Sequence, residues 1–127
     1  MPRKVFTAGE VLAATDVNLY LSNEVVFASA TASVTLAPTD RYETLVVNAA
    51  GLVTVTIGTA TAFQAGERID IFREGAGTVT VAAGAGVTLA GRNTTATSYR
   101  ITDRYDAVSV LCIAANSYRV IGNATAV

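Results

Sequence analysis

Residues 63–91 read FQAGERIDIFREGAGTVTVAAGAGVTLAG, and the fold class turns on how this stretch is taken. Ile69 and Ile71 fall on one face of an extended chain, and Arg68, Asp70 and Phe72 on the other. After Gly75-Ala76-Gly77, Val79 and Val81 alternate with Thr78 and Thr80. Two strands around a short Gly-bearing loop predict a β-hairpin. Gly84 and Gly86 then bend the chain into a third short run, Val87-Thr88-Leu89. No residue pattern of a known active site stands out here.

The remainder of the chain extends the same theme. Its 127 residues suit one domain with a short appendage. Hydrophobic residues make up 51%, yet Trp is absent and Phe numbers 4, so the interior must be built from small and β-branched side chains. Each of these buries little area at about 25 cal/mol per Å², and such a domain gains by sharing its core with copies of itself. A net charge of −1, with 15% charged residues, argues against nucleic-acid or membrane partners and suits a surface covered in an assembly. Cys112 is the only cysteine, which excludes an intrachain disulfide; its apolar neighbours predict a buried small hydrophobe. Neither a secretory signal nor a membrane span is expected from the apolar runs.

Taken in order, residues 1–23 form an appendage and residues 24–127 a β domain. The appendage opens as an extended arm and passes through a turn centred on Gly9. It then changes to helical spacing over about 14–22, where Val17, Tyr20 and Leu21 share a stripe. So short a helix needs a surface to dock on. From Glu24 onward, strands are predicted at 24–28, 32–36, 42–48, 52–57, 67–73, 77–83, 86–90, 97–102, 106–114 and 117–122. Many short strands with Gly, Asn and Pro between them indicate an all-β fold, a small antiparallel sandwich or barrel. Val108–Ile113, apolar on both faces, belongs in the middle of a sheet. Thr39-Asp40-Arg41-Tyr42 recurs as Thr102-Asp103-Arg104-Tyr105, which predicts equivalent hairpins at about 40–58 and 103–122, with the Asp-Arg pair capping each strand and Tyr covering the core edge.

The absence of histidine removes the commonest general base, His metal ligands and Ser-His or Cys-His nucleophiles. The acids are spread singly, most with an Arg nearby (Asp40/Arg41, Glu67/Arg68, Arg73/Glu74, Asp103/Arg104), and read as surface pairs. Neither Gly75-Ala76-Gly77 nor Gly84-Ala85-Gly86 precedes a helix or carries Lys-Ser/Thr, so neither is a phosphate loop. No enzyme, cofactor or metal is expected on these grounds.

Two segments resemble pieces of tailed-bacteriophage virion proteins, especially those of actinobacterial phages. One runs from Phe6-Thr7-Ala8-Gly9-Glu10-Val11-Leu12 to Asp16-Val17-Asn18-Leu19-Tyr20-Leu21, with Ala13 where the family often has Thr. The other runs from Phe63 to Leu89 and resumes at Ser117–Asn123, where Tyr118 stands in for the usual closing Trp. The resemblance implies a structural virion protein: a capsid decoration (cement) protein that binds the capsid lattice as a homotrimer and stabilises the head. Its partners would be itself and the major capsid protein or another virion protein. Attachment would fall to Val5, Phe6, Val11, Leu12, Val17, Tyr20 and Leu21. The alternatives are a minor tail or head-fibre protein and a carbohydrate-binding receptor module.

Overall fold

The computed structural model describes residues 7–11, 13–14 and 26–127. Twelve strands account for most of the described chain: β1 (Val26–Ala30), β2 (Val34–Thr35), β3 (Glu43–Val47), β4 (Val53–Ile57), β5 (Arg68–Arg73), β6 (Val79–Ala83), β7 (Thr88–Gly91), β8 (Thr94–Ala96), β9 (Ser98–Ile101), β10 (Ala107–Ala114), β11 (Ser117–Gly122) and β12 (Ala124–Ala126). They form two sheets, ordered β1-β3-β5-β10-β11-β7-β8 and β12-β9-β6-β4-β2. The all-β, two-layer expectation holds, and each of the ten predicted strands is present. β10, the strand with apolar residues on both faces, lies fourth of seven in the larger sheet.

The pairing differs from a purely antiparallel sandwich. From β1 to β6 the chain alternates between sheets, and each strand lies parallel to the one two before it. Three rungs are stacked in this way, as in a short solenoid. β5 and β6 therefore do not form the predicted hairpin: β5 pairs with β3 and β10, and β6 with β4 and β9. Gly75-Ala76-Gly77 is a crossover between layers. It lies directly on the crossover of the rung below, and a Cβ on Gly75 or Gly77 would collide with the backbone of Ala49 or Gly51. A hairpin turn and a stacked crossover both need glycine, for different reasons: the first needs backbone freedom, the second close approach.

From β7 onward the pairing is mixed: β7–β8 and β10–β11 are hairpins, while β11 lies parallel to β7 and β9 lies antiparallel between β6 and β12. β7–β8 turns at Arg92-Asn93 and β10–β11 at Ala115-Asn116, with Asn93 and Asn116 in the left-handed region (φ 57° and 56°) that Asn tolerates well. β8 and β12, each three residues long, were too short to stand out in the sequence.

The repeated Thr-Asp-Arg-Tyr word marks related places, though not two hairpins. Only 103–122 contains one; β3 and β4 of 40–58 lie in different sheets. The two copies instead grip the two ends of β5. Tyr42 donates its N–H to the Arg68 carbonyl (2.6 Å) and Tyr105 to that of Arg73 (2.7 Å), both tyrosines having positive φ. Arg41 pairs with the Glu67 carboxylate at 3.1 Å, and Arg104 donates to the Glu74 carbonyl at 2.9 Å. Tyr105 is well exposed beneath the Arg104 guanidinium rather than covering the core.

Between the sheets lies one core of Val, Ile and Leu, in which Tyr99 and Tyr118 are the largest fully buried side chains. These two phenols supply bulk that the thin aliphatic set lacks. Each keeps a hydrogen bond, as buried hydroxyls require: Tyr99 with Gly91 and Thr94, Tyr118 with Phe63.

Candidate functional site

Of the residues expected to carry attachment, Val11 alone falls within the described residues. Val5, Phe6, Leu12, Val17, Tyr20 and Leu21, like the predicted helix beyond Ala14, lie outside the described residues. Val11 is described and is 85% exposed. It follows a turn closed by Glu10 N–H to the Thr7 carbonyl at 3.0 Å, with Gly9 at φ 84°, as the sequence suggested.

A concave site forms on the outer face of the larger sheet. Strand alternation sends Ile69 and Ile71 into the core and leaves Arg68, Asp70 and Phe72 facing outward. Register then decides the neighbours. Asp70 lies opposite Thr44 on β3 and Ser109 on β10, and Ser109 lies opposite Ile121 on β11. The result is a groove of about 250 Å³ lined by Arg68, Asp70, Phe72, Ala107, Ser109 and Ile121. Asp70 is half-buried, and the Ser109 hydroxyl donates to its Oδ1. Arg68 stands two residues away on the same face, roughly 7 Å along the strand. A carboxylate fixed by a hydroxyl, a guanidinium at one end and apolar walls at the other can bind a polyhydroxylated molecule and move a proton. The sequence showed Arg68, Asp70 and Phe72 on one face but gave no sign of Ser109, which comes from a strand 39 residues away.

Three other titratable groups among the described residues are shifted by their surroundings. Cys112 is fully buried, and burial pushes its thiol pKa up, which removes it as a nucleophile. Burial likewise raises the Tyr118 phenol, partly offset by its bond to the Phe63 backbone. Glu43 is raised by burial and by the nearby Asp40 carboxylate. The chain contains no histidine, and among the described residues no three His, Cys, Asp or Glu side chains gather where they could hold a metal ion. The donor set does not fit a metal centre.

The comparison with known families corrects the functional expectation. The model of the KduI/IolB family matches residues 2–120. No curated relative matches the chain. Members of that family are carbohydrate isomerases, so the virion location, the capsid, tail and receptor-module roles and the absence of catalysis all give way. The phage resemblance misled for a physical reason. Its motifs, such as F-x-x-G-x-x-I-x-I followed by G-x-G-x-V-T-V, describe a strand, a close crossover and the next strand, which stacked rungs require whatever the protein does. With nearly its whole length matched, the chain belongs to the KduI/IolB family.

Proposed function

We propose that this chain is a carbohydrate isomerase whose reacting group is the Asp70 carboxylate, with residues 24–127 as the working domain and 1–23 as an appendage. The observation that carries the reading is the outward Asp70, held by Ser109 in a groove that also presents Arg68. Aldose–ketose isomerisation moves two protons through an enediol. One passes from the carbon beside a carbonyl to the carbonyl carbon; the other passes from the first carbon's hydroxyl to the carbonyl oxygen, and solvent in the open groove can carry it. Asp70 takes the carbon-bound proton and returns it to the neighbouring carbon, so the reaction is redox-neutral overall. Arg68 offers positive charge to the oxygen that becomes negative in the enediolate. Ser109 orients the carboxylate, and Phe72 and Ile121 shield the ring. No step is routed through a metal, since the donor set does not supply one.

The test is solvent exchange. Incubated in D2O with a panel of reducing sugars, neutral and carboxylated, the protein is expected to incorporate deuterium next to the carbonyl of one of them and to form the isomer. Asp70→Asn should lower that rate by about 10²–10⁴-fold while leaving the amide spectrum folded. No exchange with any sugar, or full activity in the variant, removes the assignment.

Self-association belongs to the same proposal. Phe27, on the edge strand β1 and outside the groove lining, is 72% exposed, and a thin core benefits from covering such a residue. Light scattering should give a homotrimer; a monodisperse monomer would count against it.

A further inference from the structure

Among the functional groups that the Asp70 groove does not use are Arg41, Glu67, Cys112 and Tyr118. These four converge on one surface loop, residues 62–66, which follows the 3-10 turn Thr59–Thr61. The Phe63 N–H donates to the Tyr118 hydroxyl (3.3 Å), and the Cys112 thiol donates to the Phe63 carbonyl (3.1 Å). Gly66 N–H donates to the Cys112 carbonyl (2.8 Å), and Gln64 N–H to Glu67 Oε1 (3.1 Å). The other Glu67 oxygen forms an ion pair with Arg41 Nε at 3.1 Å. Glu67 is only 3% exposed, and Cys112 and Tyr118 are fully buried. Within the loop Ala62 has φ 48°, a left-handed conformation that costs a side-chain-bearing residue energy. A connection between a turn and a strand needs neither a buried carboxylate nor a strained alanine. Such expense is typical of a loop held in place for recognition.

What the loop walls is an open cleft of about 470 Å³, closed on the far side by the β10–β11 turn. Ala62 and Ala115 give it a small apolar floor above the buried Phe63, and Thr59, Gln64 and Asn116 supply the polar groups. No charged residue lines it, so a charged ligand would find no counter-charge there. Two carboxamides and a hydroxyl offer donors and acceptors suited to ring hydroxyls, and the floor suits the C–H face of a ring. We propose that this cleft is a second binding site, for an uncharged sugar ring, separate from the Asp70 groove and independent of the isomerase assignment.

The experiment is an NMR titration of the whole chain with maltose, cellobiose and galactose in turn, with gluconate as a charged control. At least one neutral sugar should shift the amides of Gln64, Ala65 and Asn116 with a Kd of about 1–10 mM, and gluconate should not. Gln64→Ala combined with Asn116→Gly should weaken that binding at least about tenfold. Glycine keeps the left-handed turn that Asn116 occupies, and an otherwise unchanged amide spectrum confirms the fold. Asp70→Asn should leave the titration as it is, which separates this site from the proposed reaction. Silence with all three sugars up to about 100 mM, a response confined to β5 and β10, equal binding of gluconate, or undiminished binding in the double variant would each overturn the proposal.

Discussion

The first half of the described domain and the second are held together differently, although both are strands with alternating apolar residues. Through β6, parallel rungs lie one on another, and the crossovers touch backbone to backbone. From β7 onward, two local hairpins close at asparagines, the Tyr99 hydroxyl ties β7 to β8, and a parallel β7–β11 pairing joins the hairpins to each other. β5 and β6 form the seam. Each has a parallel neighbour on one side and an antiparallel neighbour on the other. Asp70 stands on that seam, where register brings β3 and β10 to either side of it. The site thus depends on both halves, which respond to different kinds of damage.

Backbone packing in the rungs should be the least forgiving. Gly77→Ala places a methyl group inside the Gly51 carbonyl and is expected to cost ~3 kcal/mol or more in urea unfolding. Gly51→Ala, on the facing crossover but with open space around its Cβ, should stay within about 0.5 kcal/mol. Equal effects would mean that the crossovers do not stack as described.

Next comes the ion pair beside β5. Arg41→Ala strands the buried Glu67 carboxylate and should cost about 2–3 kcal/mol at neutral pH, the lower side of the range for buried pairs because Arg41 itself is partly exposed. Glu67→Gln in the same background should recover part of that loss.

The hairpin half should yield more gently. Tyr99→Phe removes a hydroxyl that accepts from Gly91 N–H (2.7 Å) and donates to the Thr94 carbonyl (2.8 Å) across β7 and β8. The expected cost is about 1–2 kcal/mol, with faster amide exchange confined to residues 88–96. Exchange that accelerates throughout β1–β6 would contradict the division.

The smallest effect should be at the start of β3. Because the pKa of Glu43 is raised, the folded protein holds its proton more tightly than the unfolded chain. The contribution to stability is full below the ordinary Glu pKa and is lost as pH rises through the raised value. Glu43→Gln should therefore flatten that part of the pH–stability curve and leave the protein slightly more stable at neutral pH. An unchanged curve would show that Glu43 does not contribute.

Strand positions were legible because alternation reports on each segment alone. Partners were not, since Val79-Thr80-Val81 looks the same whether it folds back on β5 or stacks on β4. A 26-residue repeat carries the missing information. Gly51, Val53-Thr54-Val55 and Gly58 recur as Gly77, Val79-Thr80-Val81 and Gly84, and the register sets Val53 opposite Val79 at that same 26-residue offset. The Thr-Asp-Arg-Tyr word carries no such pairing information; it marks the two ends of one strand. For the site, sequence placed Arg68 and Asp70 on a common face but could not supply Ser109, because proximity across a sheet leaves no local trace. Spacing alone reads the acidic residues as surface pairs, and it does not distinguish Glu67, buried against Arg41, from an exposed neighbour.

The position of β5 also bears on how the protein is made. When that strand leaves the ribosome only its β3 flank is available, and β10 emerges about forty residues later. A nascent chain must therefore hold an uncovered central edge for part of its synthesis, since non-local pairing cannot begin before both strands exist. Its safe folding should depend on translation running promptly through residues 74–111.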